Sequence, residues 1–139
     1  MMFGLPTFRS PAVNPALDEA LGGLYNPYEL RLIEQYGTNI PIAAGSTFVH
    51  EGAPGREVVL ILSGTAVVSR QGEEIAAVGQ GDIIGEQAVL SGQPRNASLI
   101  ATTDLVAVVF SVREFVSLLE VCPRLEAKVN LLVKQRQAA

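Results

Sequence analysis

Short β-rich runs, each bounded by glycine or proline, fill the middle of this 139-residue chain and constrain its fold more than any other feature. Turn-forming segments such as Ala53-Pro54-Gly55, Ser63-Gly64 and Gln71-Gly72 separate the runs, because glycine and proline favour the dihedral angles of tight turns. Many short strands at regular spacing predict a sandwich or a jelly-roll-like barrel. The runs are 40–42, 47–51, 57–62, 65–70, 73–78, 83–84, 98–102 and 105–110.

Capping signals place helices on both sides of this β-rich region. Asn26 precedes a proline and is followed at the third position by Glu29, which is the pattern of a capping box. Ser111 and Glu114 repeat the pattern, and Pro123 interrupts the helix that they begin. The chain is therefore predicted to be mainly β with flanking helices. The predicted organisation is an N-terminal arm and short helix over 1–25, then one domain over 26–139, with strands at about 38–110 and C-terminal helices at 111–139.

Composition excludes several classes of function. The net charge is −4 and the pI is near 4.9, which argues against a nucleic-acid surface. The longest apolar runs are strand-sized and too short to span a bilayer, and the N-terminus lacks the basic and apolar blocks of a secretory signal. The one cysteine, Cys122, cannot form an internal disulfide, and it fits a reducing, cytoplasmic compartment.

Catalytic and metal sites are not expected either. The chain has one histidine, His50, whereas a metal-binding jelly roll of the cupin type needs several. No Gly-x-Ser-x-Gly segment occurs, so the sequence offers no elbow for a serine nucleophile. The sequence predicts a non-enzymatic protein without a metal or a cofactor.

The segment from Gly85 to Ser98, here called the cassette, carries groups that can hold a sugar joined to a phosphate. Arg95 can form a two-pronged, charge-assisted pair with phosphate oxygens. Glu86 can accept a hydrogen bond from a sugar hydroxyl. Small residues such as Ala88 leave backbone N–H groups open to an anion if residues 86–90 form a short helical turn.

The cassette resembles the phosphate-binding cassette of the cyclic nucleotide-binding domain family. That family pattern is Gly-Glu, an apolar residue, Ala-Leu, a short variable piece and then Pro-Arg-x-Ala-Ser/Thr. The matching residues here are Gly85-Glu86-Gln87-Ala88-Val89-Leu90 and Pro94-Arg95-Asn96-Ala97-Ser98. The resemblance implies a β-roll with N-terminal helices and two C-terminal helices. It also implies reversible binding of a 3′,5′-cyclic nucleotide, with Arg95 on the cyclic phosphate and Glu86 on the ribose 2′-hydroxyl.

The cassette departs from the family pattern at two positions. Gln87 stands where an apolar residue is usual, and Asn96 stands where the family often has Ala, Ser or Thr. Because an Asn amide both donates and accepts hydrogen bonds, Asn96 does not select a base. Cyclic AMP is the expected ligand, and cyclic GMP stays open. Three apolar residues are candidates for the pocket wall or for plain core, namely Ile75, Val78 and Ile84.

The last helix carries an apolar stripe, made of Leu125, Val129, Leu132 and Val133. By resemblance, this helix covers the ligand or forms the seam of a homodimer, and ligand binding repacks it. The signal would then pass to a protein effector. Two alternatives stay open: an interaction module with the same fold that binds no ligand, and the sensor half of a transcription regulator that lacks its DNA-binding part.

Overall fold

The computed structural model describes residues 14–86 and 91–138, with the side chains of 136–138 left out. Helices α1 (Pro15–Ala20) and α2 (Pro27–Tyr36) precede the strands, and α3 (Val112–Val121) and α4 (Pro123–Ala138) follow them. Both predicted capping boxes are confirmed. The side chain of Asn26 accepts a hydrogen bond from the backbone amide of Glu29 at 2.8 Å. The side chain of Ser111 accepts one from the backbone amide of Glu114 at 3.1 Å.

Eight strands form two four-stranded antiparallel sheets. One sheet has the order β1-β8-β3-β6, and the other has the order β2-β7-β4-β5. The described strands stay in two sheets that are not closed into one barrel, and this β-roll confirms the predicted fold class. The strands are β1 (Thr38–Ile42), β2 (Thr47–Val49), β3 (Glu57–Ser63), β4 (Ala66–Arg70), β5 (Glu73–Val78), β6 (Ile83–Ile84), β7 (Ser98–Ala101) and β8 (Leu105–Ser111).

Strand β3 is apolar from Val58 to Leu62 because both of its faces are covered there. Val58 and Leu60 point to a core that the first sheet shares with the helices, whereas Val59 and Ile61 point to a second core that also includes residues of β7. Alternate side chains of a strand point to opposite faces, so a strand covered on both sides needs an unbroken apolar run. The side chains of strand β8, which pairs with β3, alternate between the same two cores.

The four helices pack against the outer face of the first sheet. Leu17 of α1 and Ile33 of α2 lie in the helix-side core together with Phe115 of α3. The stripe on α4 is buried against the same core, since Leu125 and Val129 are 2% and 0% exposed. The predicted homodimer seam on α4 is not tested by these contacts, and the predicted domain boundary near residue 25 also stays a prediction.

Candidate ligand-binding site

The first half of the cassette begins at a tight corner. Strand β6 ends at Ile84, and the chain turns at Gly85, whose φ is +94°. A Cβ atom on Gly85 would overlap the guanidinium of Arg95 and lie 2.8 Å from the carbonyl oxygen of Glu57. L-amino acids also rarely adopt this φ. Glycine is therefore required here both for its dihedral angle and for the space that it leaves to Arg95.

Arg95 is buried at this corner, with 9% of its surface exposed. Its Nη2 donates a hydrogen bond to the carbonyl oxygen of Glu57, whereas its Nη1 finds no hydrogen-bond partner among residues 14–86 and 91–138. Burial lowers the pKa of Arg95, and the negative charges of Glu57 and Glu86 act in the opposite direction. A buried cation with an unpaired N–H group is costly, so this side chain favours an anionic oxygen beside it.

Glu86 follows the corner directly and is fully buried. Glutamate is rarely enclosed unless it has a polar or charged neighbour, and Glu86 lies close enough to Arg95 for its charge to raise the pKa of the guanidinium. A carboxylate accepts hydrogen bonds from hydroxyl groups, and a guanidinium donates to phosphate oxygens. The corner therefore combines the two groups that the sequence analysis singled out.

Backbone hydrogen bonds hold the second half of the cassette against the loop between β2 and β3. The amide of Arg95 donates to the carbonyl of Ala53 at 2.9 Å, and the amide of Gly52 donates to the carbonyl of Arg95 at 2.8 Å. The amide of Glu51 donates to the hydroxyl of Ser98 at 2.9 Å. These contacts limit the positions that the Arg95 side chain can reach.

The remaining cassette residues differ in their exposure. Ala97 is buried, with 8% exposure, and Asn96 is exposed. The carbonyl of Asn96 accepts a hydrogen bond from Nε of Arg70 at 3.0 Å. Three predicted features lie outside the described residues, namely Gln87, Ala88 and most of the helical turn over 86–90.

The three candidates for the pocket wall do not share one environment. Val78 and Ile84 are half-buried and pack against the core between the two sheets. Ile75 is 47% exposed on β5 and is not part of either core. Plain core is therefore the wrong description for Ile75, whereas it fits the other two. Contact of any of the three with a ligand stays a prediction.

Two residues that the sequence analysis did not single out contribute to the corner. Glu57 supplies the carbonyl that holds Arg95, and Arg56 lines a cavity of about 490 Å³ beside it. The register explains the position of Glu57: Val59 pairs with Ile84, so the antiparallel continuation brings residues 57–58 opposite 85–86. The cavity is lined by Phe48, Val49, His50, Ala53, Pro54, Arg56, Glu57, Arg95 and Ser111.

The described residues contain neither a cluster of metal-ligating side chains nor a membrane-spanning helix. Within 14–86 and 91–138, no group of three or more His, Cys, Asp or Glu residues could hold a metal ion. In the same part of the chain, every helix is too short or too polar to cross a bilayer. Cys122 is a free thiol that lies in the helix-side core, and burial raises its pKa.

The family profile of the cyclic nucleotide-binding domain matches residues 40–122, which is more than half of the chain and includes the whole cassette. The chain belongs to the cyclic nucleotide-binding domain family. This confirms the family that the cassette indicated. The matched family describes a ligand-binding domain and not a catalytic one.

Similar proteins include regulators from fungi and bacteria. The cAMP-dependent protein kinase regulatory subunit of Hypocrea atroviridis is 38% identical over 79 residues, which cover 57% of this chain and 17% of that protein. A cyclic nucleotide-binding domain from Methylobacillus flagellatus is 29% identical, with a TM-score of 0.73 over 87% of this chain and 74% of that one. The catabolite activator protein of Thermus thermophilus shares the fold, at 24% identity and a TM-score of 0.75 over 86% of this chain and 58% of that one. The chain thus spans less than a fifth of the length of the kinase subunit.

Proposed function

We propose that this cyclic nucleotide-binding domain binds cyclic AMP, with Arg95 on the cyclic phosphate and Glu86 on the ribose 2′-hydroxyl. The observation that carries the proposal is the incomplete hydrogen bonding of the Arg95 guanidinium, which is buried beside Gly85. Its Nη2 donates to the carbonyl of Glu57, whereas its Nη1 has no partner among the described residues. A phosphate oxygen would satisfy this N–H group and offset the cost of burying the charge.

The choice of cyclic AMP rests on the similar kinase subunit, which is named for its dependence on cAMP. Asn96 is exposed and its amide both donates and accepts, so it favours neither base. Cyclic GMP is therefore the alternative ligand, and a direct comparison of the two nucleotides separates them.

The proposed signal is a rearrangement of the C-terminal helices when the ligand is bound. In the described structure, α4 is held to the N-terminal helices by Arg124, whose Nε lies 3.2 Å from Oε2 of Glu29. The guanidinium also lies 5.9 Å from the ring centroid of Tyr25. The ion pair and the cation–π contact are individually weak. The buried packing of Leu125 and Val129 also holds α4, so a shift in population between two helix positions depends on how much more tightly the ligand binds one of them. The rearranged helices would then contact either a protein effector or a second copy of this chain, which would bind through α4.

Isothermal titration calorimetry with cyclic AMP and cyclic GMP tests the proposal. Truncating one side of a buried charged pair costs about 2–5 kcal/mol, so Arg95→Ala should weaken binding by roughly one and a half to three and a half decades. Arg113→Ala is the matched control, because it removes the same charge from an exposed position on α3. Its affinity should equal that of the wild type.

Two outcomes would contradict the proposal. If the folded wild type binds neither nucleotide, the chain is an interaction module with this fold. If Arg95→Ala stays folded and binds as tightly as the wild type, the phosphate lies elsewhere.

A further inference from the structure

The tip of the β4–β5 hairpin has an unusual backbone for its sequence. Arg70 pairs with Glu73 across a two-residue turn, in which Gln71 has φ +54° and Gly72 has φ +81°. Positive φ at both central residues is the requirement of a type I′ turn, which favours Asn or Gly at the first position. Gln71 is the one residue other than glycine with positive φ in the described chain. Backbone strain of this kind often occurs at functional sites.

Hydrogen bonds connect this strained tip to the cassette. The backbone amide of Gln71 donates to Oε1 of Glu51 at 2.9 Å, and the amide of Glu51 donates to the hydroxyl of Ser98 at 2.9 Å. On the other side of the turn, Nε of Arg70 donates to the carbonyl of Asn96 at 3.0 Å. The tip therefore contacts residue 96 directly and residue 98 through Glu51, and these residues lie one and three positions after Arg95.

We propose that Glu51 is a positioning residue for ligand binding, because its carboxylate and its amide join the hairpin tip to the segment that carries Arg95. The proposal rests on the proposed function, since the position of Arg95 matters only if it binds the cyclic phosphate. In this proposal Glu51 acts without contacting the ligand. Its action is to restrict the movement of residues 95–98, so that the guanidinium is already in place when the phosphate arrives.

Simple electrostatics predicts the opposite effect for the same residue. Glu51 is an exposed acid near a site for an anion, so its negative charge repels the ligand, and removing it should tighten binding. Positioning predicts weaker binding when the hydrogen bond is lost. The two explanations therefore differ in sign for Glu51→Ala. Glu51→Gln removes the charge and keeps an oxygen that can accept from the amide of Gln71.

The experiment measures binding of cyclic AMP by calorimetry for Glu51→Ala and Glu51→Gln, with Glu74→Ala as the control. Glu74 is an exposed glutamate on β5, so its truncation makes the same change in charge on the hairpin that Glu51 contacts. We expect Glu51→Ala to bind about two- to tenfold more weakly, as the loss of one hydrogen bond implies. Glu51→Gln should restore wild-type affinity or exceed it, and Glu74→Ala should not weaken binding.

Amide hydrogen exchange without ligand is the second measurement, and it separates this proposal from the proposed function. In ligand-free Glu51→Ala, the amides of residues 96–98 should exchange faster than in the wild type, whereas in Glu51→Gln they should exchange at the wild-type rate. Unchanged exchange at 96–98 in Glu51→Ala, or binding as tight as that of the wild type, would overturn the role of Glu51. If the wild type binds no nucleotide, the proposed function fails, and the exchange rates still decide whether Glu51 holds the segment.

Discussion

Replacing Gly85 by alanine is the change that tests the corner of the site most directly. The new Cβ atom would overlap the guanidinium of Arg95 and approach the carbonyl oxygen of Glu57 to 2.8 Å, at a φ of +94°. The hydrogen bond from Arg95 to Glu57 would then be lost or displaced. We expect Gly85→Ala to lower both the free energy of unfolding and the affinity for the nucleotide.

The magnitude follows from two separate costs. An alanine held in this region of φ costs about 1–3 kcal/mol. Loss of a hydrogen bond from a charged donor costs about 1.5–3 kcal/mol more. Gly45→Ala isolates the first cost, because Gly45 has φ +88° and a Cβ atom there would meet no atom of the described residues within 4 Å. The difference between the two variants should therefore be about 1.5–3 kcal/mol.

Urea unfolding followed by far-UV circular dichroism gives the two free energies of unfolding, and calorimetry gives the affinities. Gly45→Ala should bind cyclic AMP as the wild type does. Equal destabilisation in the two variants would show that Arg95 and Glu57 do not require the space at Gly85. The steric account of the corner would then be wrong.

Three further predictions concern the ribose, the last helix and a buried tyrosine. The wild type should bind 2′-deoxy cyclic AMP about tenfold or more weakly than cyclic AMP, and Glu86→Gln should reduce this difference in affinity. Equal binding of the two nucleotides to the wild type would show that Glu86 does not contact the 2′-hydroxyl. Ligand should change amide exchange in residues 124–137, whereas unchanged exchange there with a protected cassette indicates a binder without a helical switch. Burial raises the pKa of Tyr25 from 10.0 to about 12. The folded state therefore holds this proton more tightly than the unfolded state does, and the free energy of unfolding falls as the pH rises from 10 to 12. Tyr25→Phe should lose less stability over that interval in urea titrations, and an identical loss would contradict the assignment.

Local features of the fold could be predicted from the sequence because they depend on residues a few positions apart. Asn26 and Ser111 form their capping boxes with residues three positions later, so the helix starts follow from neighbouring side chains. The sequence indicates less directly that the side chains of β3 face two different cores. The apolar run indicates burial on both faces, whereas only the packed structure shows which residues meet the helices and which meet the other sheet.

The candidate site likewise has parts that could be predicted from the sequence and parts that could not. Arg95 and Glu86 could be selected from the chain alone, because a guanidinium and a carboxylate have a recognisable chemistry in a recognisable motif. The carbonyl of Glu57 could not, since every residue has a backbone carbonyl and this one is 38 positions from Arg95. The link from Gln71 through Glu51 to Ser98 likewise joins three segments that the pairing of strands brings together. The sequence by itself thus determined which groups can bind a cyclic nucleotide, and the tertiary structure decided what holds them, because hydrogen bonds between distant segments depend on strand register and not on residue type.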